Sequence, residues 1–179
     1  VIYLGTGFCP QGWNTGEDSF EFNPKVFVRQ PAEVLKDFHA RHFQVVLHVV
    51  PPKVQLHGEL PPAPGETLDA AHIANYWKRH HDLMTAGVDG WWPDEGDWMS
   101  VPSRLARHRM YYQGCLADRP NQRPWSLHRN GYAGMARYGA WLWSGDVDGR
   151  WETLAAQVPV GLSSSLSVSP YWGTDTGGF

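Results

Sequence analysis

The chain has 179 residues, of which 42% are hydrophobic and 18% are charged, so it is long and apolar enough for one folded domain. A formal net charge of −3 and the lack of any block rich in Lys and Arg argue against a nucleic-acid partner. No apolar run approaches the roughly 18 residues that a membrane-spanning helix needs, so a membrane partner is not expected either.

Apolar runs that end in turn residues predict six strands along the chain. In chain order they cover 1–5, 43–50, 88–92, 124–129, 140–145 and 166–173. The opening on VIYLG and the ending on TDTGGF suggest a piece of a longer chain, and the opening lacks the features of a signal peptide.

Helical periodicity fills the gaps between these strands, at 31–42, 67–87, 103–116 and 149–162. Pro31 suits a first helical position, and Gly87 is a good helix stop. The predicted inward stripes are Val34, Leu35 and Phe38; Ile73, Tyr76, Trp77, His80, Leu83 and Met84; Leu105, Arg109, Tyr112 and Leu116; and Trp151, Leu154, Ala155 and Val158, before Pro159. The segment 51–66 is predicted as a proline-rich loop.

Strand–helix alternation predicts right-handed βαβ units and a parallel sheet, either open and doubly wound or closed into a (β/α)8 TIM barrel. Polar and aromatic residues follow strand after strand: His48, Trp92 and Asp94, Arg129, Trp143 and Asp146, and Trp172 and Asp175. In a barrel these strand ends converge on one mouth, where active sites lie. GTGFCPQG after the first strand only weakly resembles the phosphate-binding turn of a doubly wound sheet, so the barrel is favoured.

Ten tryptophans are unusually many for a chain of this length, and they indicate either a Trp-rich core or a site where indoles stack on sugar rings. The histidines do not form an HExxH motif, and His80 and His81 point to different helix faces, so no metal is expected. No GxSxG elbow is present. Cys9 and Cys115 are isolated and predict neither a disulfide framework nor a zinc site.

Asp94 and Asp146 are the strongest catalytic candidates, because each ends a predicted strand beside tryptophan. They are 52 residues apart, or two βα units, which would bring their carboxyls face to face across a barrel mouth. Retaining glycoside cleavage needs two such groups roughly 5–5.5 Å apart. The alternative is that both acids only cap the helices that follow the strands.

Three motifs in order, GVDGWWPDEGD, RPWSLHRNGYAGMARYGAWLWSGDVDGRWETL and SPYWGTDTGGF, resemble the core of glycoside hydrolase family 31. The resemblance is close over 88–179 and looser over 1–50. It implies an incomplete (β/α)8 barrel with about strands 2 to 7 present, residues 1–179 being part of one catalytic domain. It also implies a retaining α-glycosidase of the α-glucosidase and α-xylosidase type, with a carbohydrate substrate and no cofactor.

The resemblance also implies roles for individual residues. Asp94 matches the family's nucleophile, and Asp146 matches its acid/base. The substrate-binding positions that match are Arg129, Trp92, Trp143, His48 and Asp175. Glu95 and Asp97 are expected to fix the loop rather than react.

This sequence departs from the family pattern at two acidic sugar contacts. The stretch LGTGFCPQGW has no acid before Glu17, and Val50-Pro51 replaces an Asp-Pro pair. These departures keep a second hypothesis open, a degenerate homologue that binds sugars without cleaving them. A third is an α-transglycosylase of the same family, in which a sugar acceptor replaces water.

Overall fold

Strands and helices alternate in the computed structural model, which describes residues 2–4, 20–50, 70–175 and 177–178. The strands are β1 Ile2–Leu4, β2 Val45–Val49, β3 Gly90–Pro93, β4 Ser126–His128, β5 Ala140–Trp143 and β6 Trp172–Gly173. The helices are α1 Pro31–Ala40, α2 Ala70–Ala86, α3 Val101–Asp118 and α4 Trp151–Leu166, with a short 3-10 helix at Met135–Tyr138. Predictions for Cys9, the GTGFCPQG turn, Glu17 and the proline-rich loop lie outside the described residues.

The six strands form one parallel sheet in chain order, β1-β2-β3-β4-β5-β6. This confirms the predicted strand order and the parallel βαβ units. The carboxyl-terminal ends of all six strands therefore lie along one edge of the sheet. That edge carries Asp94 directly after β3 and Arg129 directly after β4, with Asp146 three residues beyond β5.

Adjacent residues of a strand point to opposite faces of the sheet, and two paired positions show what each face contains. Leu47 of β2 pairs with Trp91 of β3, and both are fully buried toward the helices. The next pair is His48 with Trp92, whose rings contact each other at a centroid distance of 4.3 Å. The helix-facing side thus forms the apolar core, and the opposite side carries residues of the strand-end site.

The predicted inward stripes of α1 and α2 are confirmed. Leu35 is fully buried against the sheet, and α2 buries Tyr76, His80, Leu83 and Met84. Trp91 fits among the α2 side chains, with its indole Nε1 3.2 Å from the sulfur of Met84. Within the described helices, none is both long and apolar enough to cross a membrane.

The predicted stripe of α3 is wrong. Arg109 is exposed, whereas the buried face consists of Ser103, Arg107, His108, Met110, Tyr111, Gly114 and Cys115. A pattern of apolar residues misses this face because several of its members are polar and make hydrogen bonds inside the fold. His108, for example, has its Nε2 2.8 Å from the backbone oxygen of Asn130.

The predicted inward stripe of α4 is also wrong, because Trp151, Leu154, Ala155 and Val158 are all exposed and no residue of this helix is buried. The apolar spacing predicts an apolar face but does not identify what covers it.

The end of α4 also differs from the prediction. The helix runs through Pro159 to Leu166, so β6 begins only at Trp172 and the expected strand over 166–171 is absent. Proline costs a helix one backbone hydrogen bond. Gly161, just beyond the proline, lies under the indole of Trp172, where a Cβ atom would meet the ring at 2.8 Å.

Asp89 joins several elements at the amino-terminal edge of the sheet. One carboxylate oxygen accepts from the backbone N–H of Val45 and lies 2.8 Å from Nε2 of His39 on α1. The other accepts from Arg119 and Gln122 at 3.3 Å. This edge is opposite to the one that carries Asp94, and its polar contacts connect the structural elements to one another.

Candidate active site

A single arginine nitrogen lies between the two candidate catalytic carboxylates. Nη1 of Arg129 is 3.6 Å from Oδ1 of Asp94 and 3.4 Å from Oδ2 of Asp146. The two oxygens are therefore no farther apart than the sum of these distances, about 7 Å. The parallel sheet brings together three residues from three successive strand ends, as the sequence predicts.

Asp94 is held through both of its carboxylate oxygens. The backbone N–H of Glu95 donates to Oδ1 at 2.6 Å, and Nε2 of His48 lies 2.9 Å from Oδ2. Burial by itself raises the pKa of Asp94, but the hydrogen bonds from His48 and Glu95 and the charges of His48 and Arg129 outweigh it. The pKa of Asp94 is therefore below its ordinary value, and the group is a carboxylate at neutral pH.

His48 reaches Asp94 from the neighbouring strand β2. Its side chain is 0% exposed, and its ring packs edge-on against Trp92. A carboxylate only accepts hydrogen bonds, so Nε2 of His48 carries the proton in this contact. This buried ring thus contacts both the carboxylate of Asp94 and the indole of Trp92.

Trp92 and Trp143 lie side by side at the ends of β3 and β5. Their ring centroids are 5.6 Å apart and their planes meet at 76°. Trp92 is half-buried and Trp143 is buried, in contrast to the neighbouring Trp91, which belongs entirely to the helix-facing core. These two indoles form an aromatic wall beside the carboxylates.

The remaining acids of the cluster are more open to solvent than Asp94. The side chain of Asp146 is 62% exposed, against 10% for Asp94. Asp97 pairs with Nε of Arg129 at 3.0 Å. The pKa of Asp175 is raised, first by burial and then by the negative charges of Asp146 and Asp94, with Arg129 acting in the opposite direction.

Two residues behind Asp94 were missed by sequence reasoning. Arg107 of α3 donates to the backbone oxygens of Asp94 and Glu95, and Asn130 donates to the oxygen of Glu95. The one signal in the sequence is Gly96, which directly follows Asp94 and Glu95. In the structure its φ is positive, at 85°. An isolated glycine between acids indicates a turn but does not identify the side chain packed beneath it.

Metal binding finds no support in the part of the chain that the structure describes, where no group of three or more His, Cys, Asp or Glu side chains is placed to hold an ion. Arg129 is a side-chain cation that lies near both carboxylates. Its pKa is raised: burial lowers it, but the charges of Asp97, Asp146 and Asp94 outweigh burial.

Successive parallel βα units with paired carboxylates at the carboxyl-terminal strand ends define a barrel-type α/β domain with its site at the mouth. Residues 57–179 match the family model described as the glycosyl hydrolases family 31 TIM-barrel domain. The chain belongs to glycoside hydrolase family 31, and its fold is an incomplete (β/α)8 barrel.

Relatives with established names match parts of the chain. An α-xylosidase of Saccharolobus solfataricus is 56% identical over 59 residues, which are 33% of this chain and 8% of that protein. An α-xylosidase A of Aspergillus niger is 46% identical over 54 residues, 30% of this chain and 7% of that protein. The matched segments thus span less than a tenth of either relative's length.

Solved structures share the fold over nearly the whole chain. The family 31 α-xylosidase of Xanthomonas citri superposes with a TM-score of 0.79 at 24% identity, covering 99% of this chain and 24% of that one. An α-xylosidase from a soil metagenome, solved with xylose, gives a TM-score of 0.77 at 17% identity, covering 99% of this chain and 32% of that one. At these identities the likeness concerns the fold alone.

Proposed function

We propose that the full-length protein carrying this chain is a retaining α-glycosidase that hydrolyses α-linked glycosides by double displacement, and that residues 1–179 form part of its catalytic barrel. The observation that carries this proposal is the position of Nη1 of Arg129, 3.6 Å from Asp94 and 3.4 Å from Asp146. The separation that follows for the two carboxylates is compatible with the roughly 5–5.5 Å of retaining enzymes.

Asp94 is the nucleophile in this proposal. Its oxygen attacks the anomeric carbon, the bond from that carbon to the leaving oxygen breaks, and a β-glycosyl ester forms. A nucleophile must be ionised before it attacks, and the lowered pKa of Asp94 supports this role. Its hydrogen bonds to His48 and Glu95 fix both oxygens, so the carboxylate is oriented before substrate arrives.

Asp146 is the acid/base in this proposal. It gives its proton to the leaving oxygen in the first step and takes a proton from the attacking water in the second. The water oxygen then replaces the ester oxygen of Asp94 on the anomeric carbon, which restores the α configuration. A side chain that is 62% exposed exchanges protons readily with solvent between the two steps, unlike the buried Asp94.

The other site residues bind and orient the sugar in this proposal. Arg129 reaches the space between the two carboxylates and donates to sugar hydroxyls there. Trp92 and Trp143 form the wall against which the apolar face of the sugar packs. Asp175 and His48 complete the set, Asp175 from the far strand end and His48 through its contact with Asp94. These steps exchange only protons and a glycosyl group among carboxylates, sugar and water, so they require no cofactor.

The substrate class that we propose is α-glycosides, with α-xylosides first among them. Support comes from the relatives named α-xylosidase, in Saccharolobus solfataricus and Aspergillus niger, which are 56% and 46% identical over the segments that they share with this chain. Hydrolysis is favoured over sugar binding alone because both candidate carboxylates are present and adjacent to Arg129.

A screen of the full-length protein against aryl α-glycosides of xylose, glucose, galactose and N-acetylgalactosamine tests the proposal. The expected result is release of the aryl alcohol from one or more α-glycosides, with xylose preferred, and none from the matching β-glycosides. The Asp94→Asn variant, which keeps shape but removes the charge, serves as the matched control and should be inactive. Turnover of no α-glycoside would refute the proposal, and binding without turnover would support the sugar-binding alternative.

A further inference from the structure

Arg107 is a buried cation beneath the turn that carries Asp94. It lies in the middle of α3, and only 2% of the residue is exposed. Burying a guanidinium is costly unless its N–H groups find acceptors. Within the described residues, those acceptors are backbone carbonyls of the turn rather than a carboxylate side chain.

The guanidinium bridges two successive peptide groups. Nη2 donates to the backbone oxygen of Asp94 at 2.8 Å, and Nη1 donates to the backbone oxygen of Glu95 at 3.0 Å. Both carbonyls face α3 because the chain turns through left-handed conformations, with φ of 48° at Glu95 and 85° at Gly96. Asn130 adds a third donor, at 2.9 Å from the oxygen of Glu95.

Gly96 packs directly against the guanidinium of Arg107. A Cβ atom at position 96 would lie 2.6 Å from Nη1 of Arg107, closer than Cβ atoms approach other heavy atoms in folded proteins. The φ of 85° independently favours glycine at this position. Two separate requirements, space and backbone conformation, therefore select glycine where the turn meets the guanidinium.

We propose that Arg107 is a positioning residue for Asp94, which holds the backbone of the turn so that the carboxylate stays in place for attack. This inference rests on the proposed role of Asp94 as nucleophile. Displacing a reacting group by about 1 Å costs on the order of 100-fold in rate, so a loosened turn slows the first chemical step.

The contacts indicate that Arg107 acts through geometry and not through the protonation of Asp94. Arg107 hydrogen-bonds the backbone oxygen, whereas the side-chain oxygens of Asp94 contact His48, the N–H of Glu95 and Arg129. Loss of the Arg107 fork should therefore lower the rate of ester formation while leaving the acid limb of the pH–rate profile where it is.

Arg107→Lys in the full-length protein tests this, because lysine keeps the charge but cannot bridge two carbonyls as a fork. With an aryl α-glycoside, we expect the rate of ester formation to fall roughly 10- to 100-fold. We expect KM to change less than about 3-fold and the acid limb not to move. Gly96→Ala, which disturbs the same contact from the other side, should give the same pattern. Arg109→Lys, at an exposed position of α3, is the matched control and should keep the parental rate.

Crystal structures of the parent and the Arg107→Lys variant give a readout that does not depend on turnover. We expect the turn at residues 94–96 to shift in the variant and the contact between His48 and Asp94 to lengthen. An unshifted turn, a parental rate, a shifted acid limb, or a rate that falls only with the folded fraction would each overturn the inference. An inactive parent would refute the proposed function instead, and the two structures would still decide whether Arg107 positions the turn.

Discussion

His48 of β2 and Asp94 at the end of β3 form a buried hydrogen bond, with Nε2 2.9 Å from Oδ2. The pairing of the two strands sets it up, because His48 lies opposite Trp92, two residues before Asp94. The backbone N–H of Glu95 donates to the other oxygen, Oδ1, of the same carboxylate. The candidate nucleophile is thus oriented by one contact from its neighbouring strand and one from its own turn.

Replacing His48 should shift the pH dependence of activity. In His48→Phe an aromatic ring is kept but the donor to Asp94 is lost, so the pKa of Asp94 rises. The nucleophile must be ionised, so the acid limb of kcat/KM moves to higher pH, and kcat falls about 10- to 100-fold. The measurement is a pH–rate profile with an aryl α-glycoside.

His48→Gln is the matched variant, because a glutamine amide can still donate to Oδ2. We expect its acid limb to lie close to that of the parent. Coincident acid limbs for the parent and the phenylalanine variant would mean that His48 does not control the ionisation of Asp94. A large rise in KM with an unmoved acid limb would instead support His48 as a direct sugar contact.

Periodicity was sufficient to predict the order of the sheet and the inward faces of α1 and α2, because the residues there are mostly apolar. The parallel order and the stripes of α1 and α2 follow from hydrophobic patterns that the structure confirms. The pattern failed on α3, where Arg107 and His108 are buried. Their burial is stabilised by the carbonyls of Asp94, Glu95 and Asn130, acceptors that lie 12 to 22 residues away in sequence. Contacts of this kind are invisible to a local pattern.

The site residues also divide into those that the sequence predicts and those that it does not. The strand-end positions of Asp94, Arg129 and Asp146 follow from the order of elements, and the structure places these residues in contact. The support beneath Asp94 does not follow, since it depends on the rotation of α3 about its axis. That rotation is fixed by packing such as that of Gly114 against Trp77.

Buried histidines should make the fold sensitive to acid. The pKa of His108 is lowered to about 4, mainly by burial and further by the charge of Arg107, despite its hydrogen bond to Asn130. The pKa of His80 is lowered to about 3, again mainly by burial. In the unfolded chain these histidines bind protons near pH 6.5, so above that pH their burial in the neutral form costs no stability. Below pH 6.5 the unfolded state binds protons that the folded state excludes, and the free energy of unfolding falls as the pH drops toward 4 for His108 and toward 3 for His80.

His108→Gln removes one titrating group and keeps a donor for the oxygen of Asn130. Between pH 6.5 and 4 each such histidine contributes a loss of at most about 1.4 kcal/mol per pH unit, so the variant should lose less stability on acidification than the parent. The apparent midpoint of thermal unfolding, measured across this range, checks it. His42→Gln, at an exposed histidine, is the control and should follow the parent. A variant as acid-sensitive as the parent would contradict the prediction.

Gly114 of α3 should not tolerate alanine. A Cβ atom there would lie 2.1 to 2.6 Å from ring atoms of Trp77, whose indole donates to Asp118 and stacks on His80. Alanine gains about 1 kcal/mol of helix propensity over glycine, but forcing this ring aside costs about 1–3 kcal/mol. We therefore expect Gly114→Ala to lower the apparent melting temperature of the full-length protein.

The coupling between the two positions separates this clash from a general loss of helix stability. Trp77→Ala removes the ring and should relieve the clash, so the double variant should be more stable than the sum of the single effects implies. Gln113→Ala, at the exposed neighbouring position, is the control for alanine in this helix. Additive effects would show that the Gly114 contact with Trp77 is not what excludes alanine.

The two aspartates should differ in the product that each variant forms with azide. Asp94→Ala cannot form the ester, so hydrolysis should fall by at least about 1,000-fold. Azide can then attack the open face of the sugar and give the inverted β-glycosyl azide. In Asp146→Ala an aryl glycoside with a good leaving group still forms the ester, whose hydrolysis is slow without a base. Azide needs no base, so it should speed this second step and give the α-glycosyl azide.

The anomeric configuration of the azide product, read by NMR, therefore assigns the roles independently of the rates. The environments of the two groups favour the proposed assignment, since Asp94 is buried and fixed through both oxygens while Asp146 is open to solvent. Asp97→Ala is a matched control, because this acid contacts the same Arg129 but carries no proposed chemical step, and it should yield neither azide. An α product from the Asp94 variant and a β product from the Asp146 variant would reverse the two roles. Near-parental hydrolysis in both variants would remove both residues from the chemistry and leave the sugar-binding alternative.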